Sequence, residues 1–490
     1  MSGDLVKLYS RLPVAAQNVA CSLYGWKERR LRFGPAFRHR FTSLKETDRA
    51  SRSEIEAYQD AQIERLVRHA FDTVPYYRRV MEERGLTPSG ITSRDDLVKL
   101  PVLTKEVVRA NHRDLLSDAH RGRRLRARRT SGSTGTALQV PAPKEAVAFQ
   151  WAVWWRHRWR FGVQPLTWHV NFSGRPVVPS AQKRPPYWRW NMPMRQLLVG
   201  MQQVKRANIA SLAVRIDDPR FGFWSGVPSI IHPFVEFLEA EGVVLNHPPR
   251  VVFTGAEPTE HFQRAAIKRV TGAIVTDQYG FAEGCGNASR CEHGHYHEDW
   301  EFGVLEAVGS EGLGNGDVRG KVVATGFANP AFPLIRYEVG DAAVWKPTEF
   351  RCSCGRASRV IERIDGRLED YVVTPEGTRV RRFSYLFKKS HTIREAQVVQ
   401  ERQGSITIRY VPRSRVASDE LEAIRRKVSE WISPTLAVEF EEVGEIPRGA
   451  GGKFKAVLSR LDLDATQQDQ EAASGPCTAL RGSSPTDRRR

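Results

Sequence analysis

The order of apolar, glycine-rich and charged segments predicts an α/β protein: a large N-terminal domain of mixed sheets and helices, then a small α+β C-terminal domain. Two observations carry this. Val251–Thr254 is short, β-branched and ends at a glycine, residues 261–270 are helical in pattern, and residues 274–276 form another apolar run. Strand, helix and strand in close succession predict a parallel sheet with ligands at the carboxyl ends of its strands. A second region opens at Gly366-Arg367, with strand patterns at 397–400, 406–410 and 436–442 and a helical one over Ser418–Trp431. It is about 100 residues long, a usual size for a small domain.

Taken in order, residues 1–50 are a basic, aromatic segment with Trp26, Phe33, Phe37 and Phe41. They read as helix, either packed on the body or lying at a membrane surface. Residues 53–84 have Ile55, Tyr58, Ile63, Leu66 and Val67 at helical steps. Ser53 and Glu56 read as a capping box there, and Pro75 breaks the run. Leu138-Gln139-Val140-Pro141 is a short strand. In the following helix Trp151, Trp155 and Trp159 share one face, read as buried, with a substrate pocket wall as the alternative. Residues 320–346 read as antiparallel strands. The expected boundaries are a segment 1–50, a main domain 51–366, a lid 367–463 and a tail 464–490, whose Gln, Ser, Pro and Arg content predicts disorder.

The formal net charge is +19, yet arginine is spread along the chain and gathered on no nucleic-acid motif. An anionic substrate accounts for the excess as well, and attraction to anionic lipid remains open without a specific motif. Six cysteines in 490 residues do not make a disulfide framework. No run of about 18 apolar residues predicts a membrane span. Met1-Ser2-Gly3-Asp4 lacks a signal-peptide pattern, so the expected location is cytoplasmic. Oligomeric state is not legible.

Four segments carry the chemistry. Thr130-Ser131-Gly132-Ser133-Thr134-Gly135-Thr136 is a hydroxyl- and glycine-rich loop able to wrap phosphates, and it is no Walker loop, since no Gly-Lys-Ser/Thr ending follows. Tyr279-Gly280-Phe281-Ala282-Glu283 places an acid after a Tyr-Gly turn. Arg336-Tyr337-Glu338-Val339-Gly340-Asp341 places a second acid after a glycine. Pro447-Arg448-Gly449-Ala450-Gly451-Gly452-Lys453 sets a lysine on a glycine-rich loop, with Lys455 as the competing choice. Separately, Cys291, His297, Cys352 and Cys354 form a candidate Cys₃His zinc set, His293 being the next histidine candidate.

The order of these segments resembles the adenylate-forming enzymes, and within them the phenylacetate–CoA ligase-like branch of capsular and other polysaccharide clusters. The resemblance runs from about residue 50 to 460 and includes Leu100-Pro101-Val102-Leu103-Thr104-Lys105, Gly226-Val227-Pro228-Ser229, Gly255-Ala256-Glu257 and Cys352-Ser353-Cys354-Gly355-Arg356. It implies an AMP-forming ligase that uses ATP and Mg²⁺ to activate a small-molecule carboxylic acid and then transfers the acyl group to coenzyme A. An amine or carrier-protein acceptor is one alternative, and a non-catalytic basic scaffold in a polysaccharide or membrane assembly is another. It also implies a mobile lid turning about Gly366-Arg367, a Mg²⁺ carboxylate at Glu283 and a catalytic lysine at Lys453. The implied ATP and AMP contacts are the 130–136 loop, Gly255, Ala256, Glu257, Tyr279, Gly280, Asp341, Arg356 and Arg367. Thr136 departs from the lysine that many members carry after the second glycine of the loop. The acid itself is not fixed by the resemblance.

Overall fold

The computed structural model describes residues 8–129, 138–174, 177–179, 182–256, 259, 261–367, 371–375, 379–380, 383, 386–387, 390, 392–412, 414–447 and 457–461. The chain divides into two compact units, with the division between Leu368 and Glu369.

In the first unit α1 (Val14–Arg32) and α2 (Pro35–Glu46) precede α3 (Arg52–Thr73) and α4 (Pro75–Glu83). The capping box of α3 is Ser51 with Glu54, two residues before the Ser53–Glu56 pair that the spacing predicts. Both pairs satisfy the pattern, but Ser51 has the extended backbone that a cap needs (φ −68°, ψ 165°). Pro75 then starts α4, because a proline fits the first turn of a helix and not its interior. Further helices are α5 (Lys105–Ala110), α6 (Lys144–Arg160), α7 (Ile209–Ile216), α8 (Pro228–Ala240) and α9 (His261–Thr271).

A ribbon of β1 (Arg126–Arg129) and β2 (Gln139–Ala142) flanks the 130–136 loop. The main sheet contains β3 (His169–Ser173), β4 (Trp188–Asn191), β5 (Gln196–Gly200), β6 (Phe223–Gly226), β7 (Val251–Thr254) and β8 (Ile274–Gly280). It continues with β9 (Asn287–Arg290), β10 (Tyr296–Glu298), β11 (Gly303–Gly312), β12 (Val318–Gly326), β13 (Tyr337–Trp345) and β14 (Val360–Arg367). The strand order is β11-β12-β13-β14-β10-β9-β8-β7-β6-β3-β5-β4. Strands β5, β3, β6, β7 and β8 are parallel neighbours, and β4 is an antiparallel edge. From β8 onward every pairing is antiparallel. β8 is therefore the seam between the two halves. β7 is buried at all four positions, as a parallel strand covered on both faces must be.

The tryptophan face of α6 is largely packing surface. Trp155 is buried, its ring edge-on to Phe33 and Phe223, while Phe37, Phe41 and Leu44 of α2 close the same cluster.

The second unit holds the two-stranded pair β15 (Val372–Val373) and β16 (Arg379–Val380) and a four-stranded sheet. Its strands β17 (Ile393–Arg402), β18 (Ser405–Pro412), β19 (Ala437–Glu442) and β20 (Val457–Ser459) run in the order β19-β18-β17-β20. Helix α10 (Ser418–Trp431) buries Ile424 and Val428 in a core with Val398, Ile406 and Ile408. The expected α/β architecture with a small α+β C-terminal part is what the chain adopts. No helix among the described residues is long and apolar enough to cross a membrane.

Candidate functional site

The site is assembled at the carboxyl ends of neighbouring parallel strands. β6 ends at Gly226, β7 runs into Gly255, and β8 ends at Tyr279 and Gly280; the Gly255 amide donates to the Gly226 carbonyl at 3.0 Å. Ala256, next in the chain, has φ +70°, and Arg336 has φ +53°. A non-glycine residue in this region is uncommon and is held there only by its surroundings. For Arg336 the restraints are visible: its carbonyl accepts from Leu103, its amide donates to Thr325 Oγ1, and its guanidinium pairs with Glu306 at 3.0 Å.

Two tyrosine–carboxylate bonds join the motif segments. Tyr279 Oη donates to Asp341 Oδ2 at 2.9 Å, and Tyr337 Oη donates to Glu283 Oε1 at 2.7 Å. Four strand-to-strand steps separate β8 from β13. In a flat sheet that span is about 19 Å. A hydrogen bond across it requires the sheet to curl strongly between β8 and β13. Leu103 bridges Tyr337 in parallel, and Lys105 Nζ donates to the Val339 carbonyl at 3.1 Å. The Leu100–Lys105 stretch thus braces the strand that carries Asp341. Arg367 lies directly across β13–β14 from Asp341.

Glu283 is 6% exposed. Among the described residues Tyr337 is the hydrogen-bond partner of its carboxylate, so Oε2 can face a cation, the arrangement magnesium uses with one carboxylate and substrate phosphates. One residue further, Gly284 has φ +70°, and a Cβ there would strike the Arg128 guanidinium. Arg128 belongs to β1, at the edge of the 130–136 loop, and burial pushes its pKa down to about 10. It is not among the site residues that the sequence singles out, and the basic run at 121–129 is its signal there.

Arg356, expected at the nucleotide, has other partners. It is buried beside Asp48 at 3.5 Å and Glu292 at 3.4 Å, next to the cysteine cluster. Its pKa is raised because, although burial opposes its charge, Asp48, Cys354 and Glu292 outweigh that opposition. The 130–136 loop, Glu257 and Lys453 lie outside the described residues.

The ligand atoms of Cys291, His297, Cys352 and Cys354 all lie within 4.8 Å of one another, and all four residues are buried. Cys291 Sγ and Cys352 Sγ are 3.8 Å apart, and Cys354 Sγ is 3.2 Å from His297 Nε2. A tetrahedron with zinc–sulfur bonds of about 2.3 Å has sulfur–sulfur edges of about 3.8 Å, so donor set and spacing fit zinc. His293 is outside the group. His295 Nδ1 stands 3.4 Å from Cys352 Sγ.

A buried charge network supports this region. Arg156, on α6, is fully buried between Asp299 at 2.7 Å and Glu301 at 2.5 Å. Arg160 holds Asp48 at 2.7 Å. Burial disfavours the Asp48 carboxylate, but Arg160, Arg156 and Arg356 outweigh it and keep its pKa below the usual range. Asp299 also accepts from Ser289 Oγ at 2.6 Å on β9.

The CapK C-terminal domain family matches residues 372–460. The chain is 21% identical to Protein CapK of Staphylococcus aureus, over 93% of this chain and 99% of the relative. It is 26% identical to the phenylacetate-coenzyme A ligase of Thermus thermophilus, over 84% and 98%. Among solved structures it is similar to a 2-hydroxyisobutyryl-CoA ligase bound to 2-HIB-AMP and CoA, with TM-score 0.57, 19% identity, and coverage of 88% of this chain and 94% of that one. Over most of its length the chain is thus similar to CapK and to phenylacetate-coenzyme A ligases, and its residues 372–460 match the CapK C-terminal domain family.

Proposed function

We propose that the protein activates a carboxylic acid with ATP as its acyl-adenylate and passes the acyl group to coenzyme A, releasing AMP. The observation that carries this reading is the pair of bonds Tyr279–Asp341 and Tyr337–Glu283, which gather two carboxylates and an aromatic ring at the ends of parallel strands. The named activities of the relatives, phenylacetate and 2-hydroxyisobutyrate ligation to coenzyme A, support the same reaction class.

In the first step a carboxylate oxygen attacks the α-phosphorus; an oxygen–phosphorus bond forms, the α–β phosphoanhydride breaks, and pyrophosphate leaves. Both reactants are anionic, so alignment and charge compensation lower the barrier. Tyr279 offers its ring face to adenine, with Gly255, Ala256 and Glu257 passing beside the base. Asp341 is suited to accept from the ribose hydroxyls. The 130–136 loop offers amides and hydroxyls to the departing phosphates, and Arg128 adds positive charge near Glu283. Magnesium bound at Glu283 would neutralise phosphate charge. Lys453 would bridge the attacking carboxylate and the α-phosphate. In the second step the coenzyme A sulfur attacks the acyl carbon, the carbon–sulfur bond forms, and AMP leaves with the electrons of the acyl–phosphate bond. The Cys₃His group reads as a closed structural zinc site, since its donors are all protein atoms.

The test is incubation with ATP and Mg²⁺ across aryl, fatty, amino and hydroxy acids, with and without coenzyme A. AMP and a thioester for one acid class are expected. Pyrophosphate without a thioester would move the acceptor to an amine or a carrier protein. No pyrophosphate with any acid, from folded protein, would overturn the reading.

A further inference from the structure

Helix α1 packs through its polar side. Its buried residues are Gln17 and Gly25. Gln17 Oε1 accepts from Arg189 Nε at 2.7 Å, Asn18 Oδ1 accepts from the Trp190 amide at 2.9 Å, and a Cβ on Gly25 would strike the Asn191 side chain. All three partners lie on β4, the edge strand. The outward side of α1 is apolar: Val19, Leu23 and Trp26 are 58%, 66% and 49% exposed. With Met192, Trp168 and Trp190 they line an open groove of about 740 Å³.

A second groove, of about 850 Å³, adjoins it. Among the described residues Lys27, Arg30, Arg123, Arg124, Arg126 and Lys144 line it, with Glu145 as the one acid. Trp26 lines both grooves, and the Arg30 guanidinium lies 3.5 Å from its ring centroid. A mainly apolar strip that also holds Arg220, which lies over the Trp190 ring, then Trp26 at its border and a bank of cations beyond follow one another across this face. That is the sequence of environments met on passing from acyl chain through the interfacial layer to lipid phosphate.

We infer that this face docks on an anionic lipid bilayer, with Val19, Leu23, Trp26 and Met192 entering the headgroup–acyl boundary and Lys27, Arg30, Arg123, Arg124 and Arg126 meeting lipid phosphates. Burying exposed apolar groups supplies the non-electrostatic part, and each cation near the surface adds attraction that salt weakens. A second copy of the chain is the poorer occupant, because a two-fold contact covering this whole face sets either one basic bank against the other or the apolar strip against the cations.

Co-sedimentation of the full chain with vesicles of equal parts phosphatidylglycerol and phosphatidylcholine, against phosphatidylcholine alone, tests the inference. Binding at least about tenfold tighter to the anionic vesicles is expected. Combining Leu23→Ser with Trp26→Ser is expected to weaken it about tenfold or more, and Arg123→Glu with Arg124→Glu to do the same. All four side chains are exposed, so the unfolding midpoint should stay at the wild-type value. Absence of binding to both vesicles overturns the inference. So does binding that survives Leu23→Ser with Trp26→Ser, which would be charge attraction without insertion. A dimer in sedimentation velocity that the same pair abolishes would assign the face to a second copy and overturn it too.

Discussion

Tyr337, fully buried, directs its hydroxyl to Glu283 Oε1 at 2.7 Å and so fixes the carboxylate proposed to hold magnesium. Glu283→Gln removes the charge and is expected to cut pyrophosphate formation about 100-fold. Tyr337→Phe leaves the charge and removes its anchor; about a tenfold fall in kcat is expected, with a stability cost of about 1–2 kcal/mol. Rates of both variants against magnesium concentration check this. Full activity in Glu283→Gln would take that residue out of the mechanism.

Arg156 compensates two carboxylates in a place water does not reach. Arg156→Met keeps most of the side-chain volume but leaves Asp299 and Glu301 buried without it. A loss of about 3–5 kcal/mol is expected, since a stranded buried charge costs more than the pair contributes. Urea unfolding measures this directly. A loss below about 1 kcal/mol would mean that water or a rearranged Arg160 takes over.

The cysteine cluster should carry roughly one zinc per chain. Elemental analysis after gel filtration tests this, and less than about a tenth of an equivalent would rule the site out. Chelation, or Cys354→Ser, is expected to lower the unfolding midpoint by about 5 °C or more, because metal binding is coupled to the folded state.

His169 is buried on β3, stacked on Phe223 with ring centroids 4.3 Å apart, and burial pushes its pKa down to about 3 from an ordinary 6.5. The folded-state value lies below the unfolded one, so the unfolded chain takes up more protons as the pH falls beneath about 6.5. Stability is therefore present at neutral pH and lost on acidification toward pH 3. His169 alone should contribute about 2 kcal/mol of loss by pH 5. His157 is shifted the same way by burial. Unfolding midpoints of wild type and His169→Gln between pH 5 and 7 check this, the variant being expected to show the shallower slope.

Much of this architecture is legible in local pattern. Val251–Thr254 and Ser418–Trp431 have the bounds that their β-branched and amphipathic periods predict. The cysteines and His297 stand out because thiols are few in this chain and two short segments hold all the candidates. Long-range electrostatics is not legible in the same way. Arg156 sits in a tryptophan-rich helix, and its partners Asp299 and Glu301 lie about 140 residues away, so no period reveals that it is buried. The same holds for Arg356, whose partner Asp48 comes from the N-terminal segment. Residues 1–50 offered packing or a membrane surface as alternatives. The structure divides them, with α2 packed through Phe37, Phe41 and Leu44 and α1 turned apolar side outward. Which face turns outward depends on Gln17 meeting Arg189, a contact invisible to the sequence of either helix or strand.

Acid-dependent ATP–pyrophosphate exchange, run with wild type and Lys453→Ala, tests carboxylate adenylation at its first step. Label should enter ATP only when an accepted carboxylic acid is present, and the variant should exchange about 100-fold more slowly, the scale of losing one positioned charge. Equal exchange in the two proteins would remove Lys453 from the chemistry. Exchange that proceeds without any added acid would contradict carboxylate adenylation itself.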